Sequence, residues 1–159
     1  MTIEEYNKAV DLYSDRVYRF IIKNIKDSEK AKDIVQDSYE KLWVNAENVQ
    51  FEKVRSYLFT TAHNKMIDNI RKDKRLSDFE KIPESSYEDQ YSDLKEVLNK
   101  ALEQLPEIQR SVIVLRDYEG YSYQEIGEMT SLSESQVKVY IYRARLFLKK
   151  YIGKVETVI

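Results

Sequence analysis

Cysteine is absent from the 159 residues, which excludes a disulfide framework, a thiol nucleophile and any thiolate metal site. Histidine occurs once, at His63, so a His-rich metal centre or a two-histidine mechanism is excluded as well. With only 3 Gly and 2 Pro, the chain is too poor in turn formers for a sandwich or barrel. There is no apolar run of signal-peptide or membrane-span length, which predicts a cytoplasmic location. What remains is 42% hydrophobic and 34% charged, enough for modest cores under a water-facing surface. The expected fold is all-α. It consists of two small helical domains, a bundle and a helix-turn-helix, joined by a flexible acidic linker.

The net charge of -2 conceals an uneven distribution. Phe51 to Arg75 carries seven basic against three acidic side chains, and Leu76 to Leu98 carries two against seven. Ser133 to Lys154 carries six against one. Two basic segments thus flank an acidic one. Solvated surface accounts for such runs in most proteins. Two anion-binding modules on an acidic tether is the sharper reading.

Hydrophobic spacing divides the first half into three helices. Tyr6, Val10, Tyr13, Val17, Phe20 and Ile21 form one stripe, and Lys26-Asp27-Ser28 interrupts it with a helix-start signal. A second helix to about Asn45 turns Ala31, Ile34, Val35, Tyr39 and Leu42 inward. A polar loop near Glu47 to Gln50 precedes a third helix from about Val54 to Lys72, with Leu58, Phe59, Ala62, Met66, Ile67 and Ile70 on its inner face. Three such helices can enclose a shared core, assigned here to residues 1–73. The period is lost over 74–92, where acids cluster around Pro83 and two serines, and this stretch reads as a disordered tether.

Residues 93–159 are helical again. Leu94 to Leu105 forms a stripe, Pro106 suits the start of the next helix, and Gly120 is placed to end it. Ser122 with Glu125, and Ser133 with Gln136, spell two capping boxes. Between them fits a helix from Tyr123 to Thr130 and a turn at Ser131-Leu132. Gly127 allows close approach of a neighbouring helix. The helix after the turn buries Val137, Ile141, Ala144 and Leu148. Its other face shows Ser135, Gln136, Lys138, Val139, Tyr142, Arg143 and Arg145. Gln and Lys hydrogen-bond base edges, Val139 suits a thymine methyl, and the arginines suit phosphate or guanine. A plain helical hairpin with a basic face is the alternative. Ser131, where such turns often carry glycine, is expected to enter the left-handed region at modest cost.

Several stretches resemble the bacterial sigma factors. Asp33-Ile34-Val35-Gln36-Asp37 followed by Leu42-Trp43 resembles their D-[LI]-[VI]-Q-[ED] helix. Ala62 to Lys72 resembles the A-x-N-x-x-I-D-x-x-R-[RK] helix that follows. Leu105-Pro106, Tyr123 to Gly127, and Tyr142-Arg143-Ala144-Arg145 resemble the region-four module. The order holds from about residue 10 to 152. The short two-domain form is similar to the extracytoplasmic-function (ECF) subfamily.

The resemblance implies a transcription initiation factor, without catalysis, cofactor or metal, that brings core RNA polymerase to promoters. Asp33, Gln36, Asp37 and Glu40 lie off the apolar stripe, and the resemblance makes them the face for the clamp coiled coil of the polymerase. Trp43 is expected in the core, with the rim of that interface as the alternative. Asn48, Arg55, Tyr57, Thr60, Asn64, Lys65, Arg71 and Lys72 become the minus-ten contacts. The loop of about Ala46 to Lys53 becomes the receptor of a flipped base, with Asn45, Asn48 and Gln50 as polar lining. Tyr57 stands where the family often has Trp. His63 is expected at the surface or half-buried. The seven-residue face of the last helix becomes the minus-35 reader, and its domain also touches the polymerase flap. The resemblance further implies an anti-sigma factor, and a linker that threads polymerase channels, where its acids would either mimic RNA or serve only as a solubilising tether. A stand-alone helix-turn-helix regulator would dimerise on an operator and leave Asp33 to Trp43 without a purpose. An enzyme would need a catalytic constellation, and none is seen. A pure interaction bundle would not need the basic last helix.

Overall fold

The computed structural model of the chain describes residues 1–77 and 94–158, and these residues form helices and turns without a strand. The N-terminal unit is built from α1 (Ile3–Ile25), α2 (Ser28–Val44) and α3 (Val54–Ser77), with two short 3-10 turns, Ala46–Asn48 and Phe51–Lys53, ahead of α3. The C-terminal unit comprises α4 (Leu94–Gln104), α5 (Glu107–Ile113), a π-helical stretch Val114–Tyr118, α6 (Tyr123–Thr130) and α7 (Glu134–Val158). The tether assigned to 74–92 lies outside the described residues from 78 onward, while α3 continues through Ser77.

Caps set the boundaries. Thr2 and Glu5 make a capping box that starts α1, and Lys26 ends it in the left-handed region at φ 55°. Asp27 then caps α2, its carboxylate accepting from the backbone N–H groups of Glu29 and Lys30. The two helices are therefore joined by the shortest of connections and pack antiparallel. Pro106 is the N-cap of α5 and sits just outside its first turn, with φ -53° and ψ 145°. Gly120 takes a positive φ of 79° where the chain reverses toward α6. Both capping boxes of the C-terminal unit form: Ser122 with Glu125, and Ser133 with Gln136.

The core holds the expected stripes, with local shifts. Val17, Phe20, Ile21, Ala31, Ile34, Leu42, Leu58, Phe59, Ala62 and Met66 are fully buried or nearly so. Val35, Ile67 and Ile70 lie at its margin. In the second unit Leu102, Val112, Ile113, Leu115, Ile126, Met129, Val137, Ile141 and Ala144 are buried, and Leu148 flanks them. The two cores are continuous with one another, because α3 packs against α6 and α1 packs against α4 and α5.

Gly127 has a different role from the one expected. A Cβ built on it would lie 2.7 Å from the Leu132 carbonyl oxygen, so the close approach is by the turn's own backbone rather than by a neighbouring helix. Ser131 does enter the left-handed region, at φ 60° and ψ 38°.

Candidate functional site

The outer face of α2 carries the first cluster. Asp33, Gln36 and Glu40 are exposed, and Asp37 is half-buried. Their spacing of three, one and three residues keeps them on one side of the helix. Asp37 pairs with Lys65 of α3 at 3.0 Å, so the acidic row of α2 adjoins the cationic row of α3. Trp43 corrects an expectation: it is 54% exposed and not in the core. It stands one residue past Leu42, about 100° off the buried stripe. The Tyr6 hydroxyl donates to the Tyr39 carbonyl at 3.2 Å, and its ring meets Trp43 edge-on at 5.0 Å. With Val44, also exposed, Trp43 forms an apolar rim at the end of the acidic row.

The second cluster surrounds the entry to α3. Asn45, Asn48, Val49, Gln50, Lys53 and Tyr57 line an open cavity of about 640 Å³. Tyr57 is fixed as its wall: the hydroxyl accepts from Asn45 Nδ2 at 3.0 Å and donates to the Lys41 carbonyl at 3.4 Å. The polar lining is the one expected from the loop's composition. The expected minus-ten contacts divide. Asn48 of the first 3-10 turn and Asn64, Arg71 and Lys72 of α3 are exposed, and Lys65 pairs with Asp37. Arg55 and Thr60 instead meet the C-terminal unit. Arg55 forms an ion pair with Glu125 and lies 5.1 Å over the Tyr121 ring, while the Thr60 hydroxyl donates to the Glu128 carbonyl at 3.3 Å.

His63 is buried, with 5% of its surface exposed, contrary to the expectation of a surface or half-buried residue. The ring stacks on Phe20 at 6.2 Å, and neither nitrogen has a hydrogen-bond partner. Burial pushes its pKa down to about 4, so the imidazole is neutral near neutral pH.

The third cluster is the outer face of α7. Ser135, Gln136, Lys138, Val139, Tyr142, Arg143 and Arg145 are all exposed. Tyr142 is 69% exposed, and Leu146 continues the line from Val139. Three members are held by neighbours. Gln136 accepts from the Ser133 N–H at 2.9 Å as half of the cap. Arg145 grips Asp117 with Nε at 3.0 Å and Nη2 at 2.6 Å, and this pairing raises its pKa further. Lys138 lies 3.6 Å from Glu134 and 5.5 Å over the Tyr123 ring.

The family model for Sigma-70 region 2 matches residues 9–76, and that for Sigma-70 region 4 matches residues 95–148. The ECF RNA polymerase sigma factor SigM of Bacillus subtilis is 30% identical over 158 residues, covering 94% of each chain. The chain belongs to the ECF sigma factors. It is a promoter-specific transcription initiation factor for RNA polymerase and not an enzyme. RNA polymerase sigma factor SigV of the same organism is 32% identical over 142 residues, covering 86% of this chain and 84% of its own. Among solved structures, the sigma factor RpoE from Bartonella quintana, in complex with the anti-sigma factor NepR, superposes with a TM-score of 0.79 at 25% identity. That match covers 95% of this chain and 98% of the other. The first unit is thus sigma region 2 and the second region 4. Among the described residues no helix is long and apolar enough to cross a membrane, and no cluster of acids and histidine is placed to hold a metal.

Proposed function

We propose that the three clusters divide the work of this sigma factor between polymerase and DNA. The row Asp33, Gln36, Asp37 and Glu40, with Trp43 at its rim, docks on the clamp coiled coil, where carboxylates pair with arginines of a partner helix. Asn64, Lys65, Arg71 and Lys72 of α3 hold the minus-ten strand as it melts, together with Arg55 and Thr60. The cavity walled by Tyr57 takes a flipped base, and Asn48 and Gln50 offset the cost of unstacking with hydrogen bonds. In region 4, Ser135, Lys138, Val139, Tyr142 and Arg143 enter the major groove of the minus-35 element. Arg145 and Gln136 support that helix from its sides, Arg145 through Asp117 and Gln136 through the cap.

The observation that carries this reading is the adjacency of the acidic row on α2 and the cationic row on α3, joined at Asp37–Lys65. It sets polymerase docking beside strand melting on one rigid unit. RNA polymerase and promoter DNA are cytoplasmic in bacteria, so the factor works there. The RpoE structure holds an anti-sigma factor, and a protein inhibitor of the same kind is inferred for this chain.

Capture of core RNA polymerase by the full chain tests the reading. Wild type is expected to retain the polymerase, while Asp37→Arg and Asp33→Arg lose it with their helical circular dichroism intact. Equal capture by all three proteins would refute the docking face.

A further inference from the structure

Three ion pairs between the two units run in the same sense. Arg19, Lys26 and Arg55 of region 2 pair with Glu119, Glu103 and Glu125 of region 4. Lys23 adds a fourth cation from region 2, 4.2 Å over the Tyr118 ring. At the centre, Phe59 meets Tyr121 edge-on at 5.1 Å, and Phe20 backs Phe59 at 5.7 Å. Beside this aromatic contact, α6 lies along the first turns of α3. Glu125 holds Arg55, the Glu128 carboxylate accepts from Ser56 Oγ at 3.3 Å, and the Glu128 carbonyl accepts from Thr60. A guanidinium and two hydroxyls in a row are the groups that otherwise grip a phosphate backbone. Here carboxylate and carbonyl oxygens occupy them.

We propose that this is a self-masked state, in which α6 presents Glu125 and Glu128 to α3 in place of DNA phosphates and competes with the melted minus-ten strand for Arg55, Ser56 and Thr60. The inference rests on the minus-ten reading of α3 and adds its regulation. Region 4 is then both the minus-35 reader and the cover of the strand-binding face. Opening moves α6 away and frees the α3 face, while the α7 face is exposed in either state. Exposed ion pairs are individually weak and screened by salt. Together with the aromatic centre and the high effective concentration of two units on one chain, these contacts leave the closed state marginally favoured, so that loss of the α6 carboxylates tips the balance. A polyanion along α3 competes on favourable terms because it re-pairs Arg55 when opening frees it.

The chain has no cysteine, so Leu12→Cys on α1 and Lys149→Cys on α7 give unique sites for a donor and an acceptor dye. Energy transfer in the full-length labelled protein reports closure, and anisotropy of a short single-stranded DNA of mixed sequence reports the masked face. The test variant is Glu125→Gln with Glu128→Gln, and glutamine keeps the acceptor that the Ser122 cap needs. A charge-matched control is Glu4→Gln with Asp11→Asn on the outer face of α1. The test variant is expected to lose transfer and to bind the DNA about tenfold more tightly than the control, the gain from raising a minor open fraction to dominance. Transfer equal to wild type, or DNA binding equal to the control, would overturn the proposal. Adding Arg55→Ala to the opened variant separates the two layers. Loss of the gained affinity supports masking. Retained affinity with transfer still low refutes the minus-ten role of Arg55, and the masking with it, while leaving the closed packing standing.

Discussion

His63 places a polar ring where nothing answers it. Both nitrogens are buried without partners, and the ring stays neutral because its pKa is held at about 4. In the unfolded chain the same group titrates near 6.5. As the pH falls through 6.5 the unfolded state takes up a proton that the folded state refuses, so stability is full above that value. It declines between about 6.5 and 4 and loses nothing more from this group below that. The shift corresponds to about 3 kcal/mol at the acid end. His63→Leu is therefore expected to flatten the pH dependence of urea unfolding in this window. It is also expected to raise stability at pH 7 by about 1 kcal/mol, since two unpaired nitrogens are removed. A variant with the wild-type slope would show that another group titrates there. Gly127 is a second residue whose worth lies in its backbone. Alanine would normally favour a helix by about 1 kcal/mol. At this position the added Cβ meets the Leu132 carbonyl at 2.7 Å, and backbone cannot yield as a flexible side chain does. Gly127→Ala is expected to lower the melting temperature, with a loss of about 1–3 kcal/mol.

At the scale of the element, α7 does two jobs with two faces. Val137, Ile141 and Ala144 anchor it, and the opposite side is exposed, the face proposed above for the minus-35 element. Its exposed cations are not equivalent. Arg143 lies 6.0 Å over the Tyr140 ring, whereas Arg145 is committed to Asp117. Arg143→Ala is expected to weaken minus-35 binding by roughly 1–3 kcal/mol if it reads a base, and to lower the salt slope by about one if it holds a phosphate. Footprinting of the holoenzyme across a salt series distinguishes these. Arg145→Ala is expected to act through the fold. It breaks the tie between α7 and the π-helical stretch, and so lowers thermal stability along with promoter use. The α7 cap and its inward spacing were legible as sequence, since both depend on residues a few positions apart. The commitment of Arg145 was not, because Asp117 is 28 positions away and only the packing of α7 on the π-helical stretch brings it near. Trp43 was misjudged for a related reason. Its helical phase puts it off the stripe, and the ring it meets edge-on, Tyr6, comes from α1.

At the scale of the whole molecule, the closed packing predicts a compact particle that expands with ionic strength. Lys26–Glu103 and Arg55–Glu125 are partly exposed and screened within about 10 Å at 0.1 M salt, whereas the Glu119 carboxylate facing Arg19 is nearly buried and less screened. Small-angle scattering from low to high salt is expected to show a rising radius of gyration with unchanged helicity. A radius independent of salt would mean that the aromatic centre alone holds the units together. Helix order, caps, the turn at Ser131 and the two basic segments are local patterns, and the sequence by itself determined them because each is written within a few turns of helix. The sigma motifs were legible for the same reason, and the family matches agree with them. What the tertiary structure alone decided is which exposed groups are occupied. Arg55 and Thr60 are read from their own helix as DNA contacts, and they meet Glu125 and Glu128 from a helix about seventy positions away. Hydrophobic period encodes which face of a helix is buried. It carries no record of which partner a surface charge finds, since that depends on how two separately encoded units come to rest against each other.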